Sequence, residues 1–127
     1  MAGGMNSDLR AALQDLDSVE QEALEEGFPL PSKMALGNAR RLLRAMYSIS
    51  GRRFEVYPTP DGEVAIDAPG ETGRSVLLLC DSKGGALFLV NLNGKHRRAH
   101  YSDSNLLPDG FIREALAELK QHDELAA

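Results

Sequence analysis

Tryptophan is absent from this 127-residue chain, and cysteine occurs once, at Cys80. A single thiol cannot close an intrachain disulfide or supply a cysteine-based zinc site. Long apolar runs are missing too. The longest purely apolar stretches are Val76–Cys80 and Ala86–Val90, far short of the ~20 residues a membrane helix needs. The opening Met1-Ala2-Gly3-Gly4-Met5-Asn6 has no apolar signal-peptide core. It reads as a flexible leader, with Met5 a second candidate start. The expected setting is therefore the cytoplasm, without membrane contact. Also absent are the G-x-S-x-G elbow, the Walker loop, G-x-G-x-x-G and H-E-x-x-H. No nucleophile or general base stands out, and no cofactor is expected.

A basic excess is lacking as well. The net charge is −5 and the pI about 5.1, whereas a dedicated DNA-binding domain is usually basic. The charge is nevertheless strongly blocked. Residues 1–30 hold seven acidic side chains and one basic, and residues 31–53 hold six basic and no acidic ones. Residues 54–81 return to six acidic against one basic, residues 82–101 carry four basic and none acidic, and the remainder is acidic. Such blocks predict neighbouring elements of opposite sign, or two basic patches on an acidic body. Apolar residues at 43% and charged residues at 26% are ordinary for a globular chain. The length fits one domain, expected over residues 7–122, with a tail at 123–127.

Leu9, Leu13, Leu16 and Leu24, widened by Ala12, Val19 and Ala23, predict a first helix over 8–26, capped by Ser7 or Asp8 and ended by Gly27. Phe28-Pro29-Leu30-Pro31 is an extended connector, because a residue before proline avoids the α region. Ser32 caps a second helix over 33–48, with Leu36, Ala39, Leu42, Leu43 and Met46 inward. Five strands follow, over 53–58, 63–68, 74–81, 86–93 and 95–101. The third and fourth are apolar on both faces and therefore read as central. Their connections include Thr59-Pro60-Asp61-Gly62, Ser82-Lys83-Gly84-Gly85 and the hairpin signal Asn93-Gly94. Pro108 opens a last helix to about residue 122, with Phe111, Ile112, Ala115, Leu116 and Leu119 inward. The expected fold is α+β: two amino-terminal helices, a five-stranded antiparallel meander and a carboxy-terminal helix, the helices on one face of the sheet.

Two basic clusters are candidate binding surfaces for a partner or an anion. One is the outer side of the second helix: Lys33, Arg40, Arg41 and Arg44. The other is the fifth strand, where alternation puts His96, Arg98 and His100 on one face and Lys95 and Arg97 on the other. The histidines do not fit a shared metal. Four residues along a strand separate them by about 13 Å, too far for one ion with ~2 Å bonds. The row can be an anion contact, or a sheet edge kept soluble by charge, which is the ordinary condition of edges. The helical arginines can meet phosphates, or pair with Asp15, Asp17, Glu20 or Glu22 of the first helix. With no tryptophan and most of the seven Phe and Tyr at core positions, platforms for base stacking are few. Cys80 shares a strand face with Val76 and Leu78 and reads as a buried structural residue.

Three stretches carry a resemblance to a family of small, uncharacterised bacterial proteins of mobile and accessory gene clusters. They are Gly27-Phe28-Pro29-Leu30-Pro31-Ser32 with Asn38-Ala39-Arg40-Arg41-Leu42-Leu43, then Tyr57–Ile66, and then Arg97–Tyr101 leading to Leu107-Pro108-Asp109-Gly110-Phe111. Glu25-Glu26-Gly27-Phe28 stands where that family carries a tryptophan-containing Gly/Asp motif. The likeness implies no catalytic residues. It implies a role beside a second protein, as in a toxin–antitoxin or defence cassette. The leading expectation is thus a non-enzymatic protein-binding module, an antitoxin or accessory subunit. The alternative is a nucleic-acid-binding protein or small nuclease using Arg40, Arg41, Arg44, His96, Arg97, Arg98 and His100. The two diverge on whether the basic clusters converge on one surface or are paired internally with carboxylates.

Overall fold

In the computed structural model, which describes residues 7–50, 53–69, 74–92, 95–103 and 109–126, strands pair antiparallel in strict sequence order. They are β1 (Glu55–Pro58), β2 (Val64–Pro69), β3 (Arg74–Cys80), β4 (Ala86–Leu92) and β5 (Lys95–Tyr101). β3 is central and β1 and β5 are the edges. The helices are α1 (Ser7–Asp17), α2 (Val19–Glu26), α3 (Lys33–Ser50) and α4 (Asp109–Ala126). The fold is α+β with a five-stranded antiparallel sheet, as expected. The expected turn at Asn93-Gly94 and Pro108 lie outside the described residues; of a loop expected from the Pro69-Gly70-Glu71-Thr72-Gly73 sequence, 70–73 also lie outside them, while Pro69 instead closes β2.

The stretch expected as one helix over 8–26 is interrupted at Ser18. The Ser18 hydroxyl donates to the Gln14 carbonyl at 3.1 Å, while the Ser18 amide donates to the carbonyls of both Gln14 and Asp15. Such back-bonding by serine bends helices. After it, Val19 and Ala23 turn inward and are fully buried. Leu24, assigned from sequence to the buried stripe, is 61% exposed. α2 ends as expected at Gly27, whose φ of 74° lets its amide and that of Phe28 reach back to the carbonyls of Leu24 and Ala23. Ser32 caps α3: its hydroxyl accepts from the Ala35 amide at 3.1 Å and donates to the Ser82 carbonyl at 3.2 Å. That one side chain ties the start of a helix to the β3–β4 turn.

One core joins the helices to one face of the sheet. Leu13, Leu16 and Val19, Leu42, Leu43 and Met46 of α3, and Ile112, Leu116 and Leu119 of α4 cluster with Phe54, Val56, Val64, Ile66, Val76, Leu78, Cys80, Phe88 and Val90. α1 and α2 contact β1, α3 contacts β2 and β3, and α4 contacts β3 and β4. Strand residues alternate between faces, so Tyr57, Leu77, Leu79, Leu87 and Leu89 point away from this core, and each is only partly covered.

Two turns fix the register. Thr59 Oγ1 accepts from the amides of Asp61 and Glu63, and Gly62 takes a φ of 79°. In the β3–β4 turn, Asp81 Oδ1 accepts from the amides of Lys83 at 2.9 Å and Gly85 at 2.8 Å. The Asp81 amide donates to the Gly85 carbonyl at 3.1 Å. Gly84 has a φ of 92°, and a Cβ there would meet Met34 Sδ at 2.7 Å. Asp81 thus organises the turn that aligns the central strand β3 with β4. Asp81→Ala should lower unfolding free energy by about 1–3 kcal/mol, through two orphaned amides. Urea denaturation checks this; a loss below the Ser32→Ala cap loss of about 1 kcal/mol would contradict it.

Candidate functional site: the open face of the sheet

Directly opposed residues in an antiparallel pair share a face, so the register lays out the uncovered surface. One row runs Tyr57, Ala65, Leu79, Leu87, His100 from β1 to β5, and within it Ala65 is fully buried. The next runs Glu55, Asp67, Leu77, Leu89, Arg98. A third places Ser75, Asn91 and His96 side by side. At the centre, Leu77 opposes Leu89 and Leu79 opposes Leu87, a two-by-two leucine block. An antiparallel sheet with one face uncovered ordinarily carries polar side chains on that face. Here polar groups are pushed to the margins.

The margins differ in charge. Glu55 and Asp67 lie towards β1, where a groove against α2 is lined by Glu22, Glu25, Glu26, Phe28, Tyr57 and Pro58. Burial, then Asp15, Glu25 and Glu26, raise the Glu22 carboxyl above its ordinary value. The Tyr57 hydroxyl donates to Asp67 Oδ2 at 3.1 Å. Burial first, and then the Asp67 charge, push the phenol up to about 12. At the β5 margin, His96, Arg98 and His100 are exposed. A shallow depression between the leucines and this margin is lined by Ser75, Leu77, Leu89, Asn91, His96 and Arg98. Asn91 Oδ1, shielded from solvent there, has no hydrogen-bond partner among the described residues.

The candidate residues do not converge. His96, Arg98 and His100 share the open face, as the alternation predicts. Arg97 lies on the other face, where it bonds Glu118 of α4 at 2.8 Å. Arg40, Arg41 and Arg44 are exposed on α3, in the helical layer. Arg40 pairs with Asp17 at 2.7 Å, one of the first-helix carboxylates expected for this role. The sheet therefore separates His96, Arg98 and His100 from Arg40, Arg41 and Arg44. The leucine block was missed as a surface, although its signal, apolar residues on both faces of two strands, was in the sequence.

Among the described residues no three His, Cys, Asp or Glu side chains gather as metal ligands, and no helix is long and apolar enough to cross a membrane. Compared with known proteins, the chain matches no family model, no curated protein and no solved structure.

Cys80 is fully buried on the helical side of β3. Burial pushes its thiol up to about 12, against a smaller lowering by Arg41. The neutral thiol is thus favoured in the folded state. Its contribution to stability is complete below the unfolded thiol's value of 9.0 and is lost as pH rises towards 12. Native protein at pH 8 should resist thiol reagents and react only on unfolding. Cys80→Ala should flatten the decline in stability above pH 9. Rapid labelling of the native protein, followed by mass spectrometry, would refute the burial.

Proposed function

We propose that this chain is a non-enzymatic, cytoplasmic protein-binding module, an antitoxin or accessory subunit of a bacterial toxin–antitoxin or defence cassette. The observation that carries the reading is the leucine block on the sheet face turned away from the helical core, Leu77, Leu79, Leu87 and Leu89, each partly open to solvent among the described residues. An apolar centre with a charged rim is the composition of a protein contact surface. The cassette setting follows from the resemblance carried by the connector, turn and helix-start motifs.

The rival reading, a nucleic-acid binder or small nuclease, needs the basic residues to act together. Against it stand their separation by the sheet and the carboxylate partners of Arg40 and Arg97. Exposed pairs of this kind contribute only about 0–1 kcal/mol to stability, so the separation of the clusters is the stronger of the two arguments.

The test combines capture and titration. Tagged wild-type protein in the source cells should co-purify with one protein at near-equal stoichiometry. Leu89→Thr, which keeps β propensity, should lose it while remaining folded. In filter binding at low salt, generic RNA should show no micromolar affinity. Arg98→Ala should change stability by less than about 0.5 kcal/mol, as surface substitutions do. Micromolar RNA binding that falls steeply with salt and disappears with Arg98→Ala would overturn the proposal in favour of its rival.

A further inference from the structure

The charge on the open face has a direction. Acidic Glu55 and Asp67 lie at the β1 side and basic Arg98, with His96 and His100, at the β5 side, while the leucine block sits between. A surface with this layout is complementary to itself under one rotation. Face-to-face sheets pack about 10 Å apart, with strands aligned to within about 30°. A twofold axis between two such sheets, parallel to the strands, places β1 of one copy over β5 of the other, β2 over β4, and β3 over β3. It preserves position along the strand, so rows face the same rows. Glu55 then meets Arg98, Asp67 meets Leu89 beside that pair, Tyr57 meets His100, the buried Ala65 lies under Leu87, and Leu77 and Leu79 meet their own counterparts. A twofold axis across the strands would instead set β1 over β1 and β5 over β5, bringing like charges together. Arginine and glutamate side chains together span the gap of about 10 Å between sheets.

We propose that the open face binds a second copy of this chain, forming a twofold dimer in which two sheets pack face to face and the helices lie outside. The inference rests on the reading of this face as a protein contact surface and names its occupant. Contacts in a twofold interface come in pairs, so the Glu55–Arg98 contact occurs twice and frames the leucines on both sides. Strand spacing and rise give the face a footprint of roughly 500 Å² on each copy. That is below the ~800 Å² per partner of a standard stable interface. The dimer is accordingly a weak and reversible one, to be sought in the micromolar range.

Sedimentation equilibrium of the full chain, from about 1 to 500 µM across this range, tests the proposal. Wild type should pass from monomer to dimer. Glu55→Arg puts arginine against arginine, and Arg98→Glu puts glutamate against glutamate. Each variant alone should associate at least about tenfold more weakly, a cost of about 1.4 kcal/mol. An equimolar mixture of the two restores both contacts, because one copy carries two arginines and the other two glutamates, and it should dimerise at least as well as wild type. Circular dichroism and thermal melts confirm that both variants fold, since both positions are exposed. Three results overturn the proposal: wild type monomeric at every concentration, reversal variants that dimerise like wild type, or a mixture that stays monomeric. A wild type that is monomeric yet loses a captured partner on Leu89→Thr removes the second copy and leaves the contact reading standing. A wild type that is monomeric and captures nothing removes both.

Discussion

The structure depends on one imbalance: a sheet with two apolar faces and a helical layer on only one of them. β3 and β4 carry large apolar side chains at nearly every position from Val76 to Leu79 and from Leu87 to Val90. Alternation forces half of them away from whatever the other half packs against. Val76, Leu78, Phe88 and Val90 meet the helices and are buried. Leu77, Leu79, Leu87 and Leu89 meet no helical core and remain partly open to solvent. Apolar surface at that density favours removal from water, at roughly 25 cal/mol per Å². The same strand pattern that builds the core therefore also builds the partly open apolar block on the other face.

What converts an apolar patch into a directed one is register. The turns at Thr59–Gly62 and Asp81–Gly85 are each held by a side-chain oxygen that collects backbone amides. A slip of one residue would exchange the faces of a strand, sending leucines into the helices' space and core residues outward. With the register held, Glu55 and Asp67 fall in the same row as Arg98, on opposite sides of the leucines. The block-wise alternation of charge along the chain thus becomes a gradient across a face, because a meander lays sequence order out as spatial order. The basic segment at 31–53 does not join that gradient. Its residues 33–50 form α3 of the helical layer, where Arg40 finds Asp17.

Much of the fold was legible in the sequence, for local reasons. Ser32, Gly27, Gly62 and Gly84 mark boundaries because caps and positive φ are properties of a few adjacent residues. The exposure of β5 and the division of its side chains between faces follow from period-two alternation alone. Leu24 was misplaced because the Ser18 break changes the helical phase, and a single serine gives no warning of it. The open face was harder to see. Two-faced apolar strands announce burial on both sides, and only the spatial placement of the helices shows that, among the described residues, the helical core lies on one side. The Arg40–Asp17 pairing was anticipated from the opposite charges of the first two helical stretches, whereas Arg97–Glu118 spans 21 residues and no periodicity within an element finds it.

The most direct test of the account is solvent accessibility of individual leucine methyls, measured by NMR with a soluble paramagnetic probe over a range of protein concentrations. In dilute protein the methyls of Leu77, Leu79, Leu87 and Leu89 should broaden strongly while those of Leu78, Leu42 and Leu43 stay sharp, and the first set should become protected as concentration rises. Methyls of the first set that are protected at every dilution would mean the sheet is covered on both faces within one chain, and would contradict the account.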